Sequence, residues 1–179
     1  MPCAIAPLLC AASAAYLSAQ RKIDLITNDR LKPGTRVEFT PLELNAYAAE
    51  EAPRVAPGVR NPRITLGAGQ ATATALVDFG KLRRAQGEEP SWLVSKLIDG
   101  ERPVSVTARI QSGGGRATVT VERVEISGVE IQGSTLDFLI RNFLLPLYPD
   151  AAVGRPFELG HHIQQIEVRP SAVGVLISH

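Results

Sequence analysis

Residues Gln70 to Phe79 alternate strictly between two kinds of side chain. Ala71, Ala73, Ala75, Val77 and Phe79 fall on one side; Gln70, Thr72, Thr74 and Asp78 fall on the other, with Leu76. A period of two belongs to a β-strand with one face on a core and one in water, as antiparallel sheets allow. The inward side chains are mostly alanine, so whatever covers this face comes close, or the face lines a cavity. The period recurs after Arg102-Pro103 in Val104, Val106, Ala108 and Ile110. Ser112-Gly113-Gly114-Gly115 reads as a hairpin turn. The return strand carries Ala117, Val119 and Val121, then slips phase at Glu122-Arg123 to Val124 and Ile126, which is what a β-bulge produces. Gly67-Ala68-Gly69 joins Gln70 to an earlier strand, Arg63 to Leu66.

Between the strands lie helical patterns. Thr40 caps, Pro41 takes the first helical position and Glu43 closes a capping box. Phe39 and Leu44 are placed for a hydrophobic staple. That helix is expected to run to about Ala52, with Pro53, Pro57 and Gly58 stopping it. A short second helix is expected over Ser91 to Ile98. In the third, Leu136, Leu139, Ile140, Phe143, Leu144 and Leu147 recur at helical spacing, predicting one helix from Ser134 to Tyr148. Ser134 with Asp137 reads as its start, after Gly133 breaks the preceding strand. Phe138, Leu145 and Tyr148 lie off that stripe, more apolar surface than one buried face needs. Each helix precedes an X-Pro dipeptide (Asn61-Pro62, Arg102-Pro103, Arg155-Pro156) and a hairpin. Val37-Glu38-Phe39 reads as extended, and Ile163 to Val168 and Val173 to Ile177 flank a Pro170-Ser171 turn. Antiparallel hairpins with helices on one side give an α+β domain: a strongly bent antiparallel sheet wrapped around amphipathic helices in helix-hairpin units.

Residues 1–19 carry no charged side chain. They are too short and too rich in alanine for a comfortable transmembrane helix. They read as the apolar part of a secretory signal, with Ala12-Ser13-Ala14 or Leu17-Ser18-Ala19 as cleavage sites, although the positive leader is missing. The alternative is a disordered or core-packed N-terminal segment. The expected organisation is residues 1–20 as signal or disordered segment and residues 21–179 as one α+β domain, exported to the periplasm or cell envelope. Both cysteines, Cys3 and Cys10, lie in the first ten residues, so cysteine chemistry is excluded from the body of the chain. Nineteen basic and eighteen acidic side chains give +1, and no pervasive basic balance points to nucleic acid.

Catalytic patterns are thin. Gly67-Ala68-Gly69 and Gly113-Gly114-Gly115 lack the lysine and the following helix of a phosphate loop. His161 and His162 read as adjacent residues at a strand start, facing opposite ways, which does not suit one metal ion. No serine has a nucleophile-elbow context. Glu122 with Glu125 and Asp78 with Glu101 read as surface charge. The reading is therefore no enzyme, no metal and no cofactor. The one suggestive set is the apolar helix, the alanine-lined strand and Trp92. They predict an apolar groove between sheet and helices, with Trp92, Leu97, Leu136, Phe138, Phe143 and Leu147 as ligand-binding wall.

The run Phe39-Thr40-Pro41-Leu42-Glu43-Leu44-Asn45-Ala46-Tyr47, followed by a Pro-led hairpin of small alternating residues, resembles exported bacterial domains of uncharacterised function. Those domains are related to tubular lipid-binding, LmeA-like envelope proteins. The resemblance covers roughly residues 35–130, with Glu43-Leu44-Asn45 its residue-specific part. It implies binding of a lipid or isoprenoid-like molecule in the envelope and assigns no ligand residue. The expected function is non-enzymatic binding of an apolar small molecule or lipid, with peripheral membrane contact. The alternative is a structural or assembly module that docks an envelope partner protein through an apolar helix face.

Overall fold

The computed structural model describes residues 6–85, 100–145 and 153–178, with the backbone alone for 6–13, 83, 143 and 144. In chain order the elements are α1 (Ala6–Thr27), β1 (Arg36–Phe39), α2 (Pro41–Val55), β2 (Val59–Gly67), β3 (Gln70–Asp78), α3 (Phe79–Ala85), β4 (Glu101–Gly113), β5 (Arg116–Ile126) and β6 (Val129–Glu130). Then follow α4 (Gly133–Leu139), a π-helical turn (Ile140–Leu144), β7 (Phe157–Glu158), β8 (Ile163–Arg169) and β9 (Ala172–Ile177). The class is α+β, and every ladder between these strands is antiparallel.

The strands divide into two sheets. The larger runs β2-β3-β4-β5-β6, with β7 also on β5; the smaller runs β1-β9-β8. The hairpins of the larger sheet turn where glycine permits positive φ, with Gly69 at 67° and the Gly114-Gly115 pair at 59° and 78°. The slip at Glu122 is a bulge: Thr107 pairs Arg123, but Ala108 pairs Val121. Hairpin tips of the larger sheet dock on β8. Gly69 N donates to Val168 O at 2.9 Å and Gly115 N to Gln164 O at 2.9 Å. Ser112 Oγ donates to Ile166 O at 2.6 Å and accepts from Ile166 N at 2.7 Å. An otherwise open strand edge is thereby partnered.

A core forms where α1 and α2 pack on the smaller sheet. Ala19, Ile26, Phe39, Val175 and Ile177 are buried there, with Leu44 and Tyr47 against them. The staple pair, Phe39 and Leu44, thus meets in this core. The boundary expected at residue 20 falls inside α1, and residues on both sides of it, Ala19 and Ile26, enter the same core. Ser18 and Tyr16 also tie α1 to α2, through Glu43 and Glu51. The expected stop of α2 at Pro53 is corrected: the helix continues to Val55, and Ala56 N closes it on Ala52 O at 2.9 Å. Pro53 sits in the last turn and is exposed; its missing N–H removes one i→i−4 bond, to Ala49 O, without ending the helix.

Other expectations need correction. Pro62 does not open β2; it lies in a bulge between Arg60 and Arg63, a place that tolerates a missing donor. Phe79 belongs to α3 and not to the strand, because Asp78 caps the helix by accepting from Lys81 N at 2.9 Å. Of the single helix expected over Ser134–Tyr148, the described part is α4 from Gly133 followed by the π turn, and Pro146 to Tyr148 lie outside the described residues. Leu145 N reaches Ile140 O at 3.0 Å, five residues back. Its start has no side-chain cap; Gln132, not Ser134, precedes the first turn. The second expected helix, Ser91 to Ile98, lies outside the described residues.

Candidate functional site

The strand register sorts the larger sheet into two faces, because directly paired residues share a side. The outer face is charged and in part self-neutralising. Arg60 bonds Glu101 at 2.8 Å, Arg109 bonds Glu122 at 2.6 Å, and Arg123 reaches Glu125 and Glu130, each at 3.3 Å. Asp78 contacts Lys81 at 3.6 Å. The carboxylate pairs singled out in the sequence are therefore engaged with arginine and lysine on a solvated surface.

The other face is apolar across its central rows. Ala75 pairs Val104, which pairs Ile126; Ala73 pairs Val106, which pairs Val124; Ala71 pairs Ala108, which pairs Val121. Only part of this face is covered. Val77, Val124 and Ala117 are buried, whereas Ala73 is exposed. Phe79 and Leu82 of α3 close one end, burying Ala56 and Val77 beneath them. Across from α3 the α4 segment presents Leu136, Leu139 and Ile140.

Between sheet and helices lies a groove of about 300 Å³. Its described lining is Val59, Val77, Phe79, Leu82, Val104, Val106, Val121, Val124, Ile126, Leu136, Leu139 and Ile140. None of these side chains titrates or carries a hydrogen-bonding atom. The space sits at the small end of the range for ligand pockets and is more apolar than most. The π turn starts at Ile140, within this lining; such turns recur at functional sites.

The expected wall residues fare differently. Leu136 lines the groove. Phe138 lies off the lining and is 38% exposed, because the 3.6-residue period puts it on the opposite side of α4 from Leu136 and Leu139. Phe143 has only its backbone described, and Trp92, Leu97 and Leu147 lie outside the described residues. The sheet side of the groove, Val104, Val106, Val121, Val124 and Ile126, was not named as wall in the sequence reading. Its signal was there in the in-phase alternation of both strands.

No protein-family model, curated protein or solved structure matches the chain.

The residue-specific part of the sequence resemblance, Glu43-Leu44-Asn45, builds the scaffold behind the groove. Glu43 is 7% exposed, the one buried charged side chain among the described residues. It accepts from Lys22 Nζ at 2.6 Å, Ser18 Oγ at 2.6 Å and Thr40 N at 2.8 Å. Glu43 N in turn donates to Thr40 Oγ at 3.2 Å, completing the expected capping box. Burial by itself raises the carboxyl, but the donors from Lys22, Ser18 and Thr40 together outweigh it and hold the group at about 2. Asn45 acts as a surrogate strand. Its Nδ2 donates to Ile64 O at 2.9 Å and its Oδ1 accepts from Ile64 N at 2.8 Å. The pair of bonds occupies the edge of β2 and fixes α2 to the larger sheet.

His161 and His162 form the centre of a tight turn before β8, not a strand start. Both have positive φ, 46° and 54°, and Ile163 N closes the turn on Gly160 O at 2.9 Å. His161 Nδ1 lies 3.6 Å from Asp29 Oδ1. Among the described residues no group of three or more histidine, cysteine, aspartate or glutamate side chains converges for a metal ion.

Proposed function

We propose that this domain binds the hydrocarbon part of a lipid, non-enzymatically, in the groove between β2–β5 and α3–α4. The observation that carries the reading is the apolar sheet face that its own helices cover only in part. Exposed apolar area of this kind disfavours the empty state, at about 25 cal/mol per Å² left in water. Filling the groove with methylene groups removes that penalty without asking for a single polar contact. The absence of titratable groups from the described lining suits binding and offers no general acid, base or nucleophile. The resemblance of residues 35–130 to envelope lipid-binding domains points the same way.

The envelope setting stands as part of the proposal, in narrower form. Removal of the chain up to Ala19 would take away Tyr16, Ser18 and Ala19, which hold α1 to α2 and the core. Removal up to Ala14 would leave all three. No helix among the described residues is long and apolar enough to cross a membrane.

Gentle purification followed by organic extraction and mass spectrometry tests the reading. Co-purified lipid in the wild type, lost in Val106→Trp with the fold intact, supports it. Protein that is empty and takes up no added alkyl probe overturns it. The second reading, docking of an envelope protein through the solvent side of α4, has Phe138 as its anchor. It predicts a partner lost on Phe138→Asp with lipid content unchanged.

A further inference from the structure

The register places one charged residue on the groove face of the larger sheet. Arg102 pairs Val77, and Val104 next in phase pairs Ala75. Every other paired position on that face is valine, isoleucine, leucine, alanine, Ser112 or Phe157. The remaining paired arginines and glutamates of this sheet are on the outer face, where Arg60, Arg109 and Arg123 each have carboxylate partners. Arg102 is half-buried and has no hydrogen bond or ion pair among the described residues. A half-buried guanidinium without an anion is costly, and its planar fork suits a carboxylate or phosphate oxygen pair. It stands beside Val77, a residue of the groove wall.

The groove's size limits what goes with it. An apolar cavity of about 150 Å³ holds benzene, six carbon atoms. About 300 Å³ therefore takes roughly a dozen carbons, one chain and not two.

We infer that the preferred ligand is a single-chain amphiphile with an anionic oxygen head, its chain in the groove and its head on Arg102. This rests on the lipid-binding reading and adds the class of ligand. Arg63 and Arg116 also lack a carboxylate partner among the described residues, but they lie on the outer face, across the sheet from the groove. The chain lies along the apolar face, and the head sits beside the α3-covered end, at the row where that face becomes charged. A charge-assisted bond of this kind is worth about tenfold or more in affinity at a partly exposed site.

Three probes with one chain separate the parts of the claim: 1-decanol, decanoate and decyl phosphate, each titrated calorimetrically into the wild type and into Arg102→Gln and Arg102→Lys. The expected result is that all three bind the wild type, the two anions about tenfold tighter than the alcohol. Arg102→Gln then binds all three alike, with decanol affinity unchanged, and Arg102→Lys keeps part of the preference. Rising salt shrinks the preference in the wild type but not decanol binding. Equal affinities in the wild type, or a preference that survives Arg102→Gln, overturn the inference and leave the groove reading standing. Binding of none of the three overturns both. Displacement of decyl phosphate by millimolar inorganic phosphate marks a free-anion site, and also overturns the inference.

Discussion

Replacing Glu43 with glutamine keeps the shape of the side chain and removes its charge. In the folded protein the carboxylate is buried among Lys22, Ser18 and Thr40 and is held at about 2, against 4.5 for a free glutamate. A group whose folded value is depressed contributes stability above its unfolded value and loses it as pH falls toward the folded one. The window here runs from 4.5 down to about 2. At about 1.4 kcal/mol per tenfold change, the depression corresponds to about 3 kcal/mol above that window. For a chain of this size that is roughly 6–12 °C in Tm. Urea unfolding followed by far-UV circular dichroism at several values between pH 7 and pH 3 reads it out. Surface carboxylates titrate too, so the quantity to follow is wild type minus Glu43→Gln. That difference is expected to be about 3 kcal/mol at pH 7 and to shrink steadily below pH 4.5. A difference that stays constant across the window refutes the electrostatic account. Equal stabilities at pH 7 refute the claim that the Glu43 carboxylate helps hold α1 to α2.

Asn45→Ala leaves Ile64 N and O without their partner, at an expected cost of about 1–3 kcal/mol by urea titration; Asn45→Asp should recover less than half, since it replaces only the acceptor. Gly58→Ala puts a Cβ 2.7 Å from Asp78 O on a backbone with φ of 116°, so a loss of at least about 1–3 kcal/mol is expected, and a neutral result would refute the close approach of Gly58 to Asp78. If the chain is exported and processed, N-terminal sequencing of the mature protein is expected to begin at Ala15 and not at Gln20, because Ser18 and Ala19 belong to the folded domain.

The features that local chemistry dictates could be read in advance. The glycine turns, the bulge at Glu122, the Thr40–Glu43 capping box and the Pro170-Ser171 hairpin each have a signature a few residues long. The stripe of Leu136, Leu139 and Ile140 likewise arrives on the groove because helical period alone decides which side faces inward. What escaped has other causes. An uncharged alanine-rich run looks the same whether it is exported or packed, so the spacing of Ala15, Ala19 and Ile26 in α1 was overshadowed by composition. Asp78 ends a strand and caps a helix at once, and strand alternation ran on to Phe79 without a break. The π turn depends on which carbonyl an N–H chooses, a matter of one residue's hydrogen bonding with no residue type attached to it. The division into two sheets rests on β1 meeting β9, from opposite ends of the chain, and no short-range pattern reports such a pairing. Arg102 was visible as a charge in phase with Val104 and Val106, but its meaning needed the register of the neighbouring strands.

Methyl-labelled NMR gives the most direct reading of the groove, because its wall is made of valine, isoleucine and leucine. On titration with 1-decanol, the methyl groups of Val77, Val104, Val106, Val121, Val124, Ile126 and Leu136 are expected to shift together and saturably. Those of Val173, Val175 and Ile177, in the core under α1 and α2, are expected to stay in place. Methyl shifts that do not saturate, or that gather in the second set and spare the first, would contradict the account.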